Sequence, residues 1–161
     1  RELFIPTKAV EKVTDISIKM INEMNIKGII LDVDETLANH GSQEPFEGVN
    51  AWIRRLEESG KKIIIVSNNF KDRVEPFAKY LKVPYITVGL KPIPVGLIRA
   101  ARNMKCKTNE VVVVGDQIFT DILGANLCGM KSILVEPTGS AKGFMMRVKR
   151  KLEKSIRKKI K

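Results

Sequence analysis

The most constraining feature of the sequence is an apolar segment that runs directly into a cluster of acids. The segment at residues 29–31 reads as a buried β-strand. It is followed by Asp32, Asp34, Glu35 and Thr36. Two carboxylates one residue apart at the end of a core strand would repel each other and lose solvation, unless a cation or a phosphate-handling site compensates. Alternation along an extended chain would direct Asp32 and Asp34 to the same side. The first hypothesis is therefore a Mg²⁺-dependent site at the C-terminal end of a sheet strand.

Strand and helix patterns alternate along the chain, which favours an α/β fold. Apolar runs predict strands at residues 28–33, within 61–69, and at 84–88, 111–114 and 132–135. Helical spacing of apolar residues predicts helices within residues 14–26 and at 49–59, 71–81, 94–104 and 119–128. Continuously apolar strands covered by helices on both faces predict a Rossmann-like, three-layer parallel sheet. Ligands of such sheets bind at the carboxyl ends of the strands, where polar residues follow Leu31, Val66 and Val114.

Composition indicates an ordinary globular domain and excludes several other classes. The chain has 161 residues, of which 43% are hydrophobic and 29% charged, and this length fits one core. Its apolar runs are far shorter than the roughly 20 residues of a transmembrane helix. No secretory signal is predicted, although the chain begins at Arg1 and the sequence leaves open what precedes it. Cys106 and Cys128 lack CxxC spacing and a histidine cluster, so we expect reduced thiols of a cytoplasmic protein rather than a zinc site.

The formal charge of +11 is concentrated at the C-terminal end. Residues 142–161 contain ten Lys/Arg and one acid, whereas the rest of the chain is nearly neutral. Apolar residues recur at every fourth position there: Phe144, Val148, Leu152, Ile156 and Ile160. We therefore predict a domain at residues 1–141, followed by a basic amphipathic helix or tail at residues 142–161.

Three interpretations of this tail are open. It could be a helix docked on the core with a frayed basic end. It could also lie on an anionic membrane surface, where each basic residue contributes roughly 1 kcal/mol; the protein would then be peripheral at the inner face of the membrane. Nucleic-acid binding is less favoured, because aromatic residues for base stacking are lacking beyond Phe144.

Four motifs occur in a characteristic order, each at the end of a predicted strand or in the turn after it. They are Asp32-x-Asp34-x-Thr36, then Ser67, then Lys91, then Gly115-Asp116 with Asp121 five residues on. Together they resemble the haloacid dehalogenase superfamily of aspartate-nucleophile phosphohydrolases, over residues 28–135. One acidic triplet alone would be weak evidence for this superfamily, but all four motifs in the right order are specific to it.

The resemblance implies a division of labour for phosphoryl transfer. Asp32 would be the nucleophile that becomes an aspartyl-phosphate. Asp34 would act as the general acid towards the leaving group and then as the base for the hydrolytic water. Ser67 and Lys91 would bind the transferring phosphoryl group and neutralise its charge.

The resemblance also implies a metal site and two supporting contacts. Asp32, the main-chain carbonyl of Asp34, and Asp116 would hold Mg²⁺, a hard cation that prefers oxygen ligands. Asp121 would contact the metal through water or support its ligands. Thr36 would orient the loop at the substrate, and Asn68 would add hydrogen-bond donors near the phosphate.

Taken singly, several of these residues have ordinary structural interpretations. Ser67 and Asn68 could be turn residues at a strand end, and Lys91 a solvated lysine before a proline. Asp121 could be an acid in the first turn of a helix, where the helix dipole favours it. Asp32 and Asp34 have no comparable alternative. The sole histidine, His40, reads as a polar loop residue close enough to the site to touch substrate.

The sequence leaves no room for a large cap domain. Only residues 35–47 follow the first motif, and one helix and one short strand fill the span between Ser67 and Lys91. We therefore expect an open site. Such a site suits a substrate that is large or anchored in a membrane, or a cap contributed by oligomerisation.

Further motifs resemble the YqeG-like branch, subfamily IIIA, of the superfamily. They are the opening at residues 3–37, K-P-x-P at residues 91–94 and GDQ-x-x-TD at residues 115–121. Relatives in that branch include phosphatidylglycerophosphate phosphatases. The resemblance thus implies a Mg²⁺-dependent phosphomonoester hydrolase, with an anionic phospholipid as a candidate substrate. The alternatives are a catalytically weak phosphate-binding or RNA-associated module, and a phosphatase of a soluble small-molecule phosphate.

Overall fold

The core is a parallel β-sheet. A computed structural model describes residues 2–136. Its strands are β1 (Lys8–Val10), β2 (Gly28–Leu31), β3 (Lys62–Val66), β4 (Tyr85–Ile86), β5 (Val111–Gly115) and β6 (Lys131–Val135). They form one sheet in the order β1-β6-β5-β2-β3-β4, and every neighbouring pair is parallel. All six carboxyl ends therefore lie along the same edge of the sheet.

Helices cover both faces of this sheet. They are α1 (Ile18–Glu23), α2 (Val49–Glu58), α3 (Lys71–Leu81), α4 (Val95–Asn103) and α5 (Leu123–Leu127). Short 3₁₀ turns occur at Glu2–Phe4, Val13–Asp15 and Thr108–Glu110, and a π-helical turn at Ile118–Ile122 precedes α5.

The alternation of strand side chains divides the core into two layers. Ile29 and Leu31 of β2 belong to the cluster that contains the buried residues of α1, α2 and α3. Ile30 belongs to the opposite cluster, with the buried residues of α4 and α5. Because β2 is buried on both faces, it reads as a continuous apolar run, as expected for a central parallel strand. The predicted three-layer, Rossmann-like fold is confirmed.

Two predicted strands are shorter in the structure, since 28–33 is observed as Gly28–Leu31 and 84–88 as Tyr85–Ile86. Two further elements differ in kind from the sequence-based prediction. The strand β1 was not predicted, because it is a short edge strand with an exposed and partly buried pattern rather than an apolar run. The helix predicted at residues 119–128 begins as a π-helical turn, in which the Ile122 N–H donates to the Gln117 carbonyl at 3.3 Å. This wider turn contains Asp121, and such turns are frequent at functional sites.

No large cap domain occurs within residues 2–136, as predicted. The segment between β2 and α2 forms only isolated bridges, which pair Asp34 with Ala38 and Ala38 with Pro45. Both cysteines are free. Across residues 2–136 every helix is too short or too polar to cross a bilayer. The predicted boundary at residue 141 and the basic tail at residues 142–161 lie outside the described residues.

The packing of α2 predicts a strong asymmetry between its two faces. Ile53 is fully buried against the sheet, so Ile53→Ala should lower the free energy of unfolding by about 2–5 kcal/mol through lost burial and a cavity. Asn50 is exposed on the same helix, and Asn50→Ala should change it by about 0.5 kcal/mol or less. Urea unfolding of both variants measures the difference; equal effects would contradict this packing.

Candidate functional site

The site lies where the strand order reverses. The strand β2 is paired with β3 on one side and with β5 on the other. Connections that leave β2 and β5 diverge at such a position and open a crevice at the carboxyl ends of the strands. Asp32 directly follows β2, Ser67 follows β3 and Asp116 follows β5. The fold thus brings three of the predicted motifs to one edge of the sheet.

A buried ammonium group lies at the centre of this crevice. Lys91 Nζ lies 2.5 Å from Asp121 Oδ1 and 3.3 Å from Asp32 Oδ1. The side chain of Lys91 is only 2% exposed and that of Asp121 is completely buried. Burial alone would lower the pKa of Lys91, but the charges of Asp121 and Asp32 outweigh it and hold this pKa above its usual value. Lys91 is therefore a fixed positive charge between two carboxylates.

The backbone around Lys91 is held by an asparagine of a different loop. The Asn68 side-chain amide donates to the Lys91 carbonyl, and the Lys91 N–H donates to Asn68 Oδ1, both at 2.8 Å. This reciprocal pair joins the loop after β3 to the loop before α4. Asn68, predicted as a phosphate contact, thus holds Lys91 in place through its main chain; a direct contact with phosphate stays a prediction.

Asp121 approaches the main chain so closely that only glycine fits beside it. A Cβ at Gly115 would lie 2.1 Å from Asp121 Oδ2. The same oxygen accepts a hydrogen bond from the Gln117 N–H at 3.3 Å, while Oδ1 contacts Lys91. Both oxygens of Asp121 therefore have donors within the protein, and its most direct role in this structure is to position Lys91.

Three carboxylates form a group that could hold a cation. One oxygen each of Asp32, Asp116 and Asp121 lie within 4.8 Å of one another. Asp116 Oδ1 is buried and has no hydrogen-bond partner among the described residues. An unpartnered buried carboxylate oxygen is costly, so the donor set fits a hard cation such as Mg²⁺, which binds oxygen ligands.

The electrostatics of these carboxylates also fit a bound cation. Burial, followed by the charge of Asp121, raises the pKa of Asp32 to about 7, although Lys91 opposes the shift. Burial, followed by the charge of Asp32, raises the pKa of Asp116 to about 6. Lys91 alone therefore does not neutralise the cluster.

Asp34 lies among different partners from those of Asp32. The strand ends at Leu31, so alternation does not determine the position of Asp34. Its Oδ1 accepts hydrogen bonds from the Arg73 Nε and Nη2 at 3.1 and 2.8 Å and from the Gly41 N–H at 2.9 Å. Its Oδ2 accepts one from the Asn69 side chain. Partial burial would raise the pKa of Asp34, but the Gly41 N–H and the Arg73 guanidinium outweigh it and hold this pKa below its usual value.

The remaining predicted residues lie on the segments that follow β2 and β3. Ser67 is buried, and its hydroxyl accepts a hydrogen bond from the Asn69 N–H at 3.1 Å. Thr36 is also buried, its hydroxyl has no partner among the described residues, and it lines an apolar cavity of about 260 Å³ beside Phe46. His40 is exposed in the loop after β2. The roles assigned to these residues stay predictions.

Arg73 and Asn69 contact Asp34 but were not predicted as site residues. Arg73 lies 39 residues from Asp34 on the first turn of α3. In the sequence it is one of many basic residues on amphipathic helices, so only the docking of α3 beside the loop after β2 identifies it. The sequence offered only weak evidence for Asn69 as a site residue, since it belongs to the polar run that follows β3.

Comparison with known proteins agrees with this geometry. Residues 38–129, more than half of the chain, match the family described as haloacid dehalogenase-like hydrolases. The chain belongs to this family. The match begins after Asp32 and Asp34, so the roles of these two residues rest on the motif and on the site geometry. The resemblance predicted from the sequence is confirmed.

Two relatives align with nearly the whole length of this hydrolase. The probable phosphatase YqeG of Bacillus subtilis strain 168 is 38% identical over 97% of this chain and 91% of its own length. The chloroplastic/mitochondrial phosphatidylglycerophosphate phosphatase 1 of Arabidopsis thaliana is 26% identical over 98% of this chain. The chain spans 48% of that plant protein, about half of it.

Solved structures of low sequence identity share the fold. The cobalt-bound deoxy-D-mannose-octulosonate 8-phosphate phosphatase of Haemophilus influenzae superposes with a TM-score of 0.58 at 13% identity. The superposition covers 76% of this chain and 86% of the other. It supports the architecture of the hydrolase alone.

The carboxylate cluster predicts that Mg²⁺ stabilises the hydrolase. A cation at 100 times its Kd would add about 2.7 kcal/mol to the free energy of unfolding. The raised pKa values of Asp32 and Asp116 contribute stability that is fully present below the unfolded pKa of about 4. This stability is lost as pH rises through the folded pKa values of about 6–7. Mg²⁺ binds the ionised carboxylates, so its stabilisation should be larger at pH 8 than at pH 5.5. Thermal unfolding with and without Mg²⁺, at both pH values, measures the stabilisation and its dependence on pH.

Matched acid variants separate specific binding from general charge screening. Asp116→Asn should abolish the shift in melting temperature, whereas Asp72→Asn, which removes an exposed acid on α3, should retain it. An equal shift in all three proteins would rule out a site at Asp116.

The Asp34–Arg73 contact predicts energetic coupling between two segments distant in sequence. Arg73→Ala should lower the free energy of unfolding by about 1–3 kcal/mol, because it removes two hydrogen bonds to a partly buried carboxylate. Arg73 also lies 5.4 Å from the Phe77 ring centroid, so a double-mutant cycle with Asp34→Ala is needed to isolate the contact. We expect a coupling energy of about 0.5–3 kcal/mol.

The pH dependence of that coupling has a defined sign. Because the pKa of Asp34 is lowered in the folded protein, its stabilisation is present above the usual Asp value of about 4 and is lost as pH falls through the folded value. Lys79→Ala removes an exposed lysine from α3 and serves as the control. It should have little effect on the free energy of unfolding. Additive effects of Asp34→Ala and Arg73→Ala at pH 7 would contradict the contact.

Proposed function

We propose that this hydrolase is a Mg²⁺-dependent phosphatase that hydrolyses phosphomonoesters through an aspartyl-phosphate on Asp32. The observation that carries the proposal is the convergence of Asp32 and Asp116 with the buried ammonium of Lys91 at one strand edge. A phosphoryl group needs a nucleophile, a proton donor and compensation of its negative charge. Both relatives are phosphatases by name, which supports the same reaction class.

The first half of the proposed reaction transfers the phosphoryl group to the enzyme. A carboxylate oxygen of Asp32 attacks phosphorus in line, and the bond between phosphorus and the substrate's alcohol oxygen breaks. Asp34 gives its proton to the departing oxygen, so the alcohol leaves neutral. Lys91 holds positive charge beside Asp32 throughout, which stabilises the charge that builds on the phosphoryl oxygens.

The second half returns the enzyme to its starting state. A water molecule attacks the phosphorus of the aspartyl-phosphate and gives its proton to Asp34, and the bond from phosphorus to Asp32 breaks. Inorganic phosphate leaves. The donors around Asp34 favour its ionised form, which suits the acceptance of this proton.

Asp32 and Asp116, with the main-chain carbonyl of Asp34, are the proposed ligands of Mg²⁺, and Asp121 supports them while it holds Lys91. When bound, the ion supplies further neutralisation of the carboxylates and of the phosphoryl oxygens. Ser67 follows β3 and is proposed to donate its hydroxyl hydrogen to the phosphoryl group. Asn68 is proposed to add hydrogen-bond donors near the phosphate, and Thr36 to orient the loop.

We propose an anionic phospholipid with a terminal phosphomonoester, such as phosphatidylglycerophosphate, as the substrate. The plant relative carries this substrate in its name, and its similarity extends along nearly the whole chain. Within residues 2–136 no large domain covers the crevice, so a substrate whose acyl chains stay in a bilayer has access. The enzyme would then act as a peripheral protein at a membrane surface.

Removal of the nucleophile tests the mechanism. Asp32→Asn should lower turnover by about 10³-fold or more, because a neutral carboxamide is a far poorer nucleophile towards phosphorus than a carboxylate. Phosphate release from p-nitrophenyl phosphate and from micellar phosphatidylglycerophosphate, with and without Mg²⁺, measures it. Circular dichroism verifies that the variant is folded, and Asp72→Asn is the control that should retain activity.

The outcomes separate the alternatives. Retained turnover in Asp32→Asn would disprove the aspartyl-phosphate. Activity on p-nitrophenyl phosphate but not on the lipid would favour a soluble small-molecule phosphate as substrate. Phosphate binding without any Mg²⁺-dependent release in the unmodified protein would favour the phosphate-binding or RNA-associated module.

A further inference from the structure

Exposed apolar side chains border the crevice on the two loops that form one of its walls. Phe70 is 74% exposed, Val88 45%, Leu90 51% and Ile93 59%. We call these four residues the apolar rim. Single exposed apolar residues are ordinary on protein surfaces, but a group of them next to one functional site marks an interaction surface.

Hydrogen bonds hold the two rim loops together and to the site. The Val88 N–H donates to the Asn69 carbonyl at 3.0 Å, and the Gly89 N–H donates to the Ser67 carbonyl at 2.9 Å. The Ile93 N–H closes a turn on the Leu90 carbonyl at 2.8 Å. Leu90 immediately precedes Lys91, and Phe70 immediately follows Asn69. The apolar rim is therefore built on the same backbone that presents Ser67 and Lys91.

Three rim residues occupy positions where the local backbone favours another residue type. Phe70 is the N-cap of the eleven-residue helix α3 and makes no capping hydrogen bond, although Ser, Asp or Asn would stabilise that position. Val88 and Leu90 have φ angles of +49° and +60°, a region that Gly and Asn adopt most readily and that is unusual for a β-branched residue. Folding alone thus does not account for apolar residues there.

We propose that the apolar rim enters the interfacial region of an anionic lipid bilayer and so turns the crevice towards the phospholipid headgroups. This inference rests on the proposed function. The acyl chains of a phospholipid substrate remain in the bilayer, so its phosphate reaches Asp32 only if this edge of the sheet faces the membrane. Apolar side chains around the opening then leave water and enter the region between the headgroups and the acyl chains.

The charge distribution favours a lipid surface over another protein. The strand β6 is parallel to its neighbours, so the described chain ends at Glu136, on the same edge of the sheet as the crevice. Residues 142–161 follow with ten Lys/Arg and one acid. The basic composition of this segment is complementary to an anionic membrane, and the described chain leads towards it from the edge that carries the apolar rim.

Flotation of the full-length protein with vesicles tests this surface. Vesicles of phosphatidylcholine with phosphatidylglycerol should bind the unmodified protein. The variant Phe70→Ser/Val88→Asn/Leu90→Asn/Ile93→Ser should bind them about tenfold more weakly or worse. High salt suppresses the contribution of exposed basic residues, because the Debye length is only about 3 Å at 1 M. The difference between the two proteins should persist in about 1 M NaCl.

The substitutions are chosen so that unfolding does not explain a loss of binding. Ser at the N-cap and Asn at positive φ suit the backbone better than the natural residues, so the melting temperature of the variant should equal or exceed that of the unmodified protein. Leu127→Ser is the matched control. It removes a side chain of 49% exposure from the last residue of α5, which is outside the two rim loops, and should leave flotation unchanged.

The outcomes distinguish failure of this inference from failure of the proposed function. Unchanged flotation of the stable rim variant would overturn the inference, even if the enzyme hydrolyses phosphatidylglycerophosphate. Rim-dependent flotation of Asp32→Asn would support the surface independently of catalysis, even if no phosphomonoester were hydrolysed. Loss of self-association in the rim variant, with vesicle binding retained, would identify a second copy of the chain as the occupant and would also overturn it.

Discussion

The ammonium group of Lys91 organises the site. Its contacts with Asp32 and Asp121 place one positive charge between two carboxylates that belong to different strand connections. Removing one partner from such a buried group would leave an uncompensated charge, which is strongly destabilising. Gly115 leaves room for Asp121, and Asn68 holds the Lys91 backbone. The close approach at Gly115 and the paired loops thus serve one electrostatic arrangement.

The parallel sheet makes this arrangement available. Because all the described strands run in one direction, every connection that carries a site residue leaves from the same edge. The reversal of strand order beside β2 separates the following loops and opens space between them. Burial within this framework, followed by the nearby charge of another carboxylate, raises the pKa of Asp32 and Asp116, so the group would favour a cation. Family membership agrees with a hydrolase built on this framework.

Departures from local backbone preference are concentrated around the crevice. Phe70 lacks the polar side chain that an N-cap favours, and Val88 and Leu90 adopt positive φ angles. Residues in such conformations persist only where the surrounding structure imposes them, and they cluster at functional sites. Here the hydrogen bonds between the two rim loops impose the backbone. The same loops therefore contain both the polar groups proposed to bind the phosphoryl group and apolar groups exposed to solvent.

The sequence by itself determined the layered α/β architecture and predicted acids at the carboxyl ends of its strands. Apolar runs and their periods are local properties, and a pair of acids after a buried strand has few structural explanations, so Asp32 and Asp34 were predicted as site residues without coordinates. Asp116 was predicted from its place after an apolar strand and from the family motif. The edge strand β1 was not, because it is neither continuously apolar nor alternating.

Only the tertiary structure decided which groups pair across the site. Arg73 meets Asp34, and Asn68 holds Lys91 rather than standing free at the strand end. Partners separated by 39 and 23 residues depend on how α3 and two loops pack, which residue type and spacing do not encode. Exposure is likewise a property of the folded surface, so the apolar rim emerged only when the chain was folded around the crevice.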